Sequence, residues 1–224
     1  MDIESRMIGY DKRTTLIRRM PAVVRVDGRA FHTLTRNLER PFDCSFASWI
    51  DAVAKGLLDE IQNARFAYCQ SDEISILMVD YDKFNTDAWF GGDIQKIVSI
   101  SAAKATLSFV AASDMWGVFD SRVFNVPERD VENYFRWRQR DATRNSIQMV
   151  ARTLYSHNQL LNKNTSEMME MMFQKGTNWN DCPTYFKRGR VITKTEDGFN
   201  IDKNIPIFSE SPEYIKKFLS VSEE

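Results

Sequence analysis

Two aspartates end apolar runs in this chain. Asp27 closes "VVRVDG", Val23 to Gly28, and Asp72 interrupts "YCQSDEISILM", Tyr68 to Met78. Carboxylates brought side by side repel one another unless a cation holds them, and magnesium with phosphate oxygens does this naturally. Such a pair is what two-metal phosphoryl transfer requires, with ions roughly 3.5–4 Å apart, one activating a hydroxyl and the other stabilising the departing pyrophosphate. Next to Asp27, "GRAFH", Gly28 to His32, offers consecutive backbone N–H groups to a triphosphate, and Gly28 lets the backbone approach closely. The same letters permit a plainer reading, with Asp-Gly as a turn and Ser-Asp-Glu as a solvated hairpin tip. The pattern alone leaves both open.

The elements that must position these residues read in order. Residues 22 to 27 are β-branched and form a strand, and "SFASWIDAVAKGLLDEIQ" carries apolar residues at helical spacing. "RFAYCQSDEISILMV" is two strands joined at the polar Ser71, Asp72 and Glu73. A second helix, about Gly92 to Ser113, precedes a strand at Arg122 to Val126 that Pro127 closes. The order is βαββαβ, a ferredoxin-like α+β fold, in which the first strand pairs with the third and brings Asp27 beside Asp72. Long helices follow, "ERDVENYFRWRQRDATRNSIQMVARTLYS" and "NTSEMMEMMFQKG", with Gly176 at a helix end, and then a hairpin turning at "EDG". Residues 1–224 read as a single domain, a core at about 15–126 with an elaboration at about 127–224.

Composition narrows the function classes. The chain has 224 residues, 43% hydrophobic and 27% charged, with a net charge of −1, so a polyanion would have to meet local basic patches. Cys44, Cys69 and Cys182 lack metal-ligand spacing, which points to reduced, mostly buried thiols in a cytoplasmic protein and away from zinc. The N-terminus has no signal-peptide apolar region, and "IVSISAAKATLSFVAA" is too short and polar to span a bilayer, so no membrane role is expected.

The segments "RVDGRAFH", "RPFD", "YCQSDEIS", "YFRWRQRDA" and "CPTYFKRGRVI", in order over about residues 6 to 192, resemble the tRNA-His guanylyltransferase (Thg1) family, and especially its shorter Thg1-like proteins. The resemblance implies a polymerase- or cyclase-like palm, and a 3′-to-5′ nucleotidyltransferase that uses two Mg²⁺ ions. It further implies that ATP activates an RNA 5′-phosphate as an adenylylated end, which the 3′-hydroxyl of an incoming GTP or other nucleoside triphosphate then attacks. By the same resemblance Asp27, Asp72 and the Gly28 carbonyl hold metal. Arg29, Ala30, Phe31, His32, Arg40, Asp43 and Ser71 surround the incoming nucleotide, and Arg25 and Lys96 serve the activating one. The resemblance also implies tRNA as the partner and a homo-oligomeric assembly, a tetramer in the family.

One departure bears on the substrate. Where the tRNA-His-specific members carry a His-Ile-Asn-Asn motif, this chain has Thr143 and Arg144, keeping Asn145. That favours the branch associated with repair of 5′-truncated tRNA over dedicated addition of a guanosine to tRNA-His. A nucleotidyl cyclase and a catalytically silent RNA-binding module are the rival readings.

Weaker features complete the reading. His32 and His157 are the only histidines and read as packing or solvated side chains, which removes a His-based triad. Met168, Met169, Met171 and Met172 read as a subunit contact. Arg136, Arg138, Arg144 and Asn145, with Lys187, Arg188 and Arg190, form a candidate track for the RNA backbone.

Overall fold

The computed structural model describes residues 2–220. In chain order its elements are α1 (Ile3–Ile8), β1 (Ala22–Gly28), α2 (Phe31–Leu34), α3 (Cys44–Glu60), β2 (Ala64–Gln70), β3 (Glu73–Met78), α4 (Ile94–Ser113), β4 (Phe119–Asn125), α5 (Glu128–Leu154), α6 (His157–Leu160), α7 (Thr165–Gln174), α8 (Thr184–Arg188), β5 (Arg190–Thr195), β6 (Gly198–Asp202) and α9 (Glu213–Lys216). The six strands form one antiparallel sheet in the order β4-β1-β3-β2-β5-β6. Its first four strands have the ferredoxin-like order that the sequence predicts, and the C-terminal hairpin extends the same sheet through β2.

Alternation along β1 divides its side chains between two layers. Val24 and Val26 point into the core under α3 and α4, while Val23 joins a second core beneath α5. α3 starts where the Asp43 carboxylate accepts the Phe46 N–H at 2.8 Å, and α4 where Asp93 accepts from Lys96 at 3.1 Å. The small residues expected on α4 do pack inward, Ser101 and Ala105 among them. A Cβ on Gly56 of α3 would come within 2.5 Å of the Ser108 hydroxyl, so glycine there permits the close α3–α4 approach.

α5 does two jobs. Val131, Tyr134 and Phe135 cover the sheet, and Ile147, Val150 and Ala151 run past it to carry α6 and α7. Residues 203–219 return over the α5 side of the sheet, burying Ile205, Phe208 and Ile215. Among the described residues no helix is long and apolar enough to cross a membrane.

Three expectations are corrected. The fourth strand begins at Phe119 rather than Arg122, because Phe119 packs into the aromatic cluster of Phe31 and Phe109 and its neighbours pair along β1. Met168 and Met172 are buried against α5 and Met169 and Met171 pack beside them, so the methionines build core rather than a subunit contact. Of the thiols only Cys69 is buried; Cys44 is exposed and Cys182 half-buried, and all three are free.

Candidate active site

The site lies where β1 ends and β3 begins, beneath α5. The Gly28 N–H donates to the Asp72 carbonyl at 3.1 Å, and Asp27 stands opposite Glu73 in the register. Arg25, Asp27 and Glu73 therefore all face the α5 side, with Asp72 in the turn between β2 and β3. Ser71 adopts a left-handed conformation, φ 46°, to make that turn. Burial, followed by the charges of Asp72, Glu73 and Asp120, raises the Asp27 carboxyl to about 6, with Arg25 opposing. Burial also raises the Asp72 carboxyl, against its own backbone N–H and the Ser71 hydroxyl.

Glu73 is answered and the aspartates are not. Arg138 grips Glu73 with two hydrogen bonds, Nε to Oε1 at 2.7 Å and Nη2 to Oε2 at 2.6 Å. Neither Asp27 nor Asp72 has an ion pair among the described residues. Two mutually repelling carboxylates without a salt bridge are a hard-oxygen donor set suited to a divalent ion such as magnesium. No three His, Cys, Asp or Glu side chains converge on one point among the described residues, so side chains alone supply only part of a coordination shell.

Two spaces meet at Asp72, and Asp27 borders the second of them. A cavity of about 360 Å³ lies between the Gly28–His32 segment, the Arg40–Asp43 loop and the Tyr185–Phe186 pair. A cleft of about 480 Å³ opens on the other side, along Arg25, Asp27, Trp137 and Arg138. Gln70, Ser71, Asp72, Asn145, Met149 and Arg152 border both. The rings of Phe42 and Phe186 stack at 4.4 Å and 7°, closing one wall of the cavity.

The structure brings most of the expected nucleotide-site residues to this cavity, in altered roles. Gly28 is required by a side chain, since a Cβ there would come within 2.4 Å of the Phe31 ring. Phe31 itself is buried among Phe46, Phe109 and Phe119 and can offer a ligand only backbone. The Arg29 N–H is taken by the Val118 carbonyl at 2.8 Å, which reduces the run of free donors to Ala30, Phe31 and His32. Ala30 holds φ 57°, turning the chain so that the segment rims the cavity. His32 is exposed at that rim. The Arg40 guanidinium donates to the Thr35 carbonyl at 3.2 Å. Asp43 is occupied as the α3 cap, and the Phe46 N–H holds its carboxyl below the usual range.

Other expected residues lie elsewhere. Lys96 sits in the first turn of α4, some thirteen residues or ~20 Å of helix before Phe109, which marks the site end, and it borders neither space. The basic track is corrected by burial. Arg138 is bound to Glu73, Arg190 is 3% exposed and paired with Asp51, and the buried Lys187 ammonium donates to the Asn180 carbonyl beside the Trp179 ring. Their charge is spent inside the protein, so none presents it to a phosphate backbone. Arg136 pairs with Glu132 and Arg144 with Asp141 at the α5 surface. Arg188 is half-buried, its carbonyl accepting the Tyr68 hydroxyl.

Arg152, Gln148 and Trp137 were not foreseen as site residues. A signal was present for two of them. Arg138, Asp141, Asn145, Gln148 and Arg152 recur at alternating spacings of three and four, and so form one polar stripe of a helix that faces the cleft. Arg152 is exposed and makes no ion pair among the described residues.

A ferredoxin-like antiparallel sheet, with Asp27 at the end of β1 and Asp72 in the adjoining turn where a cavity meets a cleft, together with the family match below, is that of a nucleotidyltransferase. Residues 4–127 match the family model described as tRNAHis guanylyltransferase, and the chain belongs to that family, Thg1. It is similar to a solved bacterial tRNA(His) guanylyltransferase (Thg1)-like protein in complex with ATP, at 40% identity and TM-score 0.93 over 99% of this chain and 100% of that one. A bacterial Thg1-like protein in complex with GTP is 39% identical, at TM-score 0.87 over 97% and 98% of the two chains. The tRNA(His) guanylyltransferase of Debaryomyces hansenii is 25% identical, over 84% of this chain and 78% of its own length.

Proposed function

We propose that this nucleotidyltransferase adds nucleotides, in the 3′-to-5′ direction and under the control of base pairing, to the 5′ end of tRNA that has lost its first residues. The observation that carries the reading is the pair of spaces meeting at Asp72. A reaction that joins two nucleotides needs two adjoining seats with the carboxylates between them, which a cyclase working on a lone nucleotide does not. The ATP and GTP complexes of the bacterial relatives support nucleoside triphosphates as substrates.

In this reading the cavity holds the incoming triphosphate, with the N–H groups of Ala30, Phe31 and His32 and the exposed Arg40 toward its phosphates. The cleft holds the RNA 5′ end while it is activated. There the 5′-phosphate oxygen attacks the α-phosphorus of ATP and pyrophosphate leaves; the 3′-hydroxyl of the incoming nucleotide then attacks the activated 5′-phosphate and AMP leaves. Asp27, Asp72 and the Gly28 carbonyl would hold two magnesium ions, whose chemistry is to lower the hydroxyl's pKa and neutralise the departing phosphates. Asn145 and Arg152 border both seats and orient the two substrates toward each other. Thr143 and Arg144, standing where the tRNA-His-selective pair would be, support choice of nucleotide by the opposite RNA strand.

Assembly as a homo-tetramer belongs to the same proposal, supported by the exposed apolar side chains Leu107, Trp116 and Val118. The test of function is incorporation of labelled nucleotide into a 5′-phosphorylated tRNA lacking its first residue, with ATP present. Extension at the 5′ end is the expected result. A cyclic nucleotide formed without RNA would replace this reading with the cyclase one.

A further inference from the structure

Trp137 is out of place for a structural residue. Its α5 neighbours Tyr134, Phe135 and Arg138 are buried, yet the indole is 53% exposed and borders the cleft that contains Asp27. Water contact with so large a ring is unfavourable, and an aromatic surface beside charged groups is a recognition feature more than a packing one. The ring is also held in place without a ligand. Tyr134 meets it edge-on at 5.9 Å and 68°, and the Arg138 guanidinium lies 4.4 Å from its centroid, itself fixed by the two bonds to Glu73.

Arg25 adds the second half. Its guanidinium approaches the same ring, 5.9 Å from the centroid, and its buried Nε has no hydrogen-bond partner. A guanidinium beside an aromatic surface in one cleft suits a ligand with both a flat base and an anionic phosphate.

We propose that Trp137 is a stacking platform for the base of a phosphorylated nucleotide in the cleft. The inference rests on the proposed reading of the cleft as the seat of the activation step. Two sources share this chemistry, free ATP and the 5′-phosphorylated terminal residue of the RNA.

The experiment compares Trp137→Leu and Trp137→Phe with the wild-type protein. One arm titrates ATP calorimetrically; the other titrates a 5′-phosphorylated RNA hairpin whose first residue is 2-aminopurine, a base whose fluorescence falls on stacking. Base–aromatic stacking is strong enough that Trp137→Leu should weaken one of the two ligands by about tenfold or more, while Trp137→Phe stays within about threefold of wild type. Loss confined to ATP assigns the platform to the activating nucleotide, and loss confined to the hairpin, with its quenching abolished, assigns it to the RNA end. Unchanged binding in both arms, or equal losses for Leu and Phe, would overturn the proposal. If the wild-type protein binds through Trp137 but adds nothing to RNA, the proposed function falls and the platform stands.

Discussion

Asp27 and Glu73 face each other across the β1–β3 ladder, and of the two only Glu73 has a salt bridge among the described residues. The buried Arg138 neutralises one acid of a crowded group and leaves its neighbour without a salt bridge and open to the cleft. That asymmetry separates a residue that holds the fold from one that is free to work.

Replacing Asp27 with Asn should stabilise the protein while abolishing nucleotide addition. The folded carboxyl titrates at about 6 against an ordinary 3.8, so its contribution to stability is fully present below 3.8 and is lost as pH rises through about 6. In urea titrations without divalent ions, the Asn variant should therefore match wild type near pH 4 and exceed it above pH 6. Its activity should fall by about three orders of magnitude or more, as should that of Asp72→Ala, because several kcal/mol of transition-state stabilisation go with the ligand. A constant stability difference across this pH range would contradict the assignment.

Arg138→Met should behave as a broken buried ion pair. Glu73 would remain as an uncompensated charge, at a cost of about 3–5 kcal/mol, and a double variant that also carries Glu73→Leu should recover most of it. Equilibrium denaturation of the two variants decides this. Failure of the double variant to recover would mean that Arg138 acts through something other than Glu73.

Two arginines that read alike in sequence should part company in experiment. Arg190→Ala leaves Asp51 buried and unpaired and should cost stability, by about 3–5 kcal/mol. Arg152→Ala should leave stability within about 0.5 kcal/mol and weaken RNA binding, with the salt slope falling by about one if its charge meets a phosphate. Filter binding at several salt concentrations, beside thermal melts, tests both.

The fold was legible because its signals are local. The β-branched content of 22–27, the Ser71–Asp72 interruption and the helical spacing before and after it are enough to place Asp27 beside Asp72. The basic residues were not legible in the same way. Sequence gives Arg138, Lys187 and Arg190 their charge but not their burial, which depends on acids far away in the chain, Glu73 for one and Asp51 for another. Gly28 carried a true signal with a different cause, the ring of Phe31 three residues on. Lys96 was placed by resemblance alone, and the direction of α4 takes it to the far end of the sheet. Arg152 and Gln148 lay on a stripe whose period could have been counted from Arg138 onward.

The most direct test of the account compares kcat/KM for a tRNA lacking its first nucleotide with that for full-length tRNA-His, at one ionic strength and one 5′-phosphorylation state. A paired nucleotide is aligned for attack by its template, and alignment of reacting groups is worth several kcal/mol of barrier, whereas an unpaired one gains only contacts with the cavity. The account predicts that the truncated tRNA is preferred, by about tenfold or more. Preference for full-length tRNA-His would contradict it, and would make guanosine addition the function despite Thr143 and Arg144.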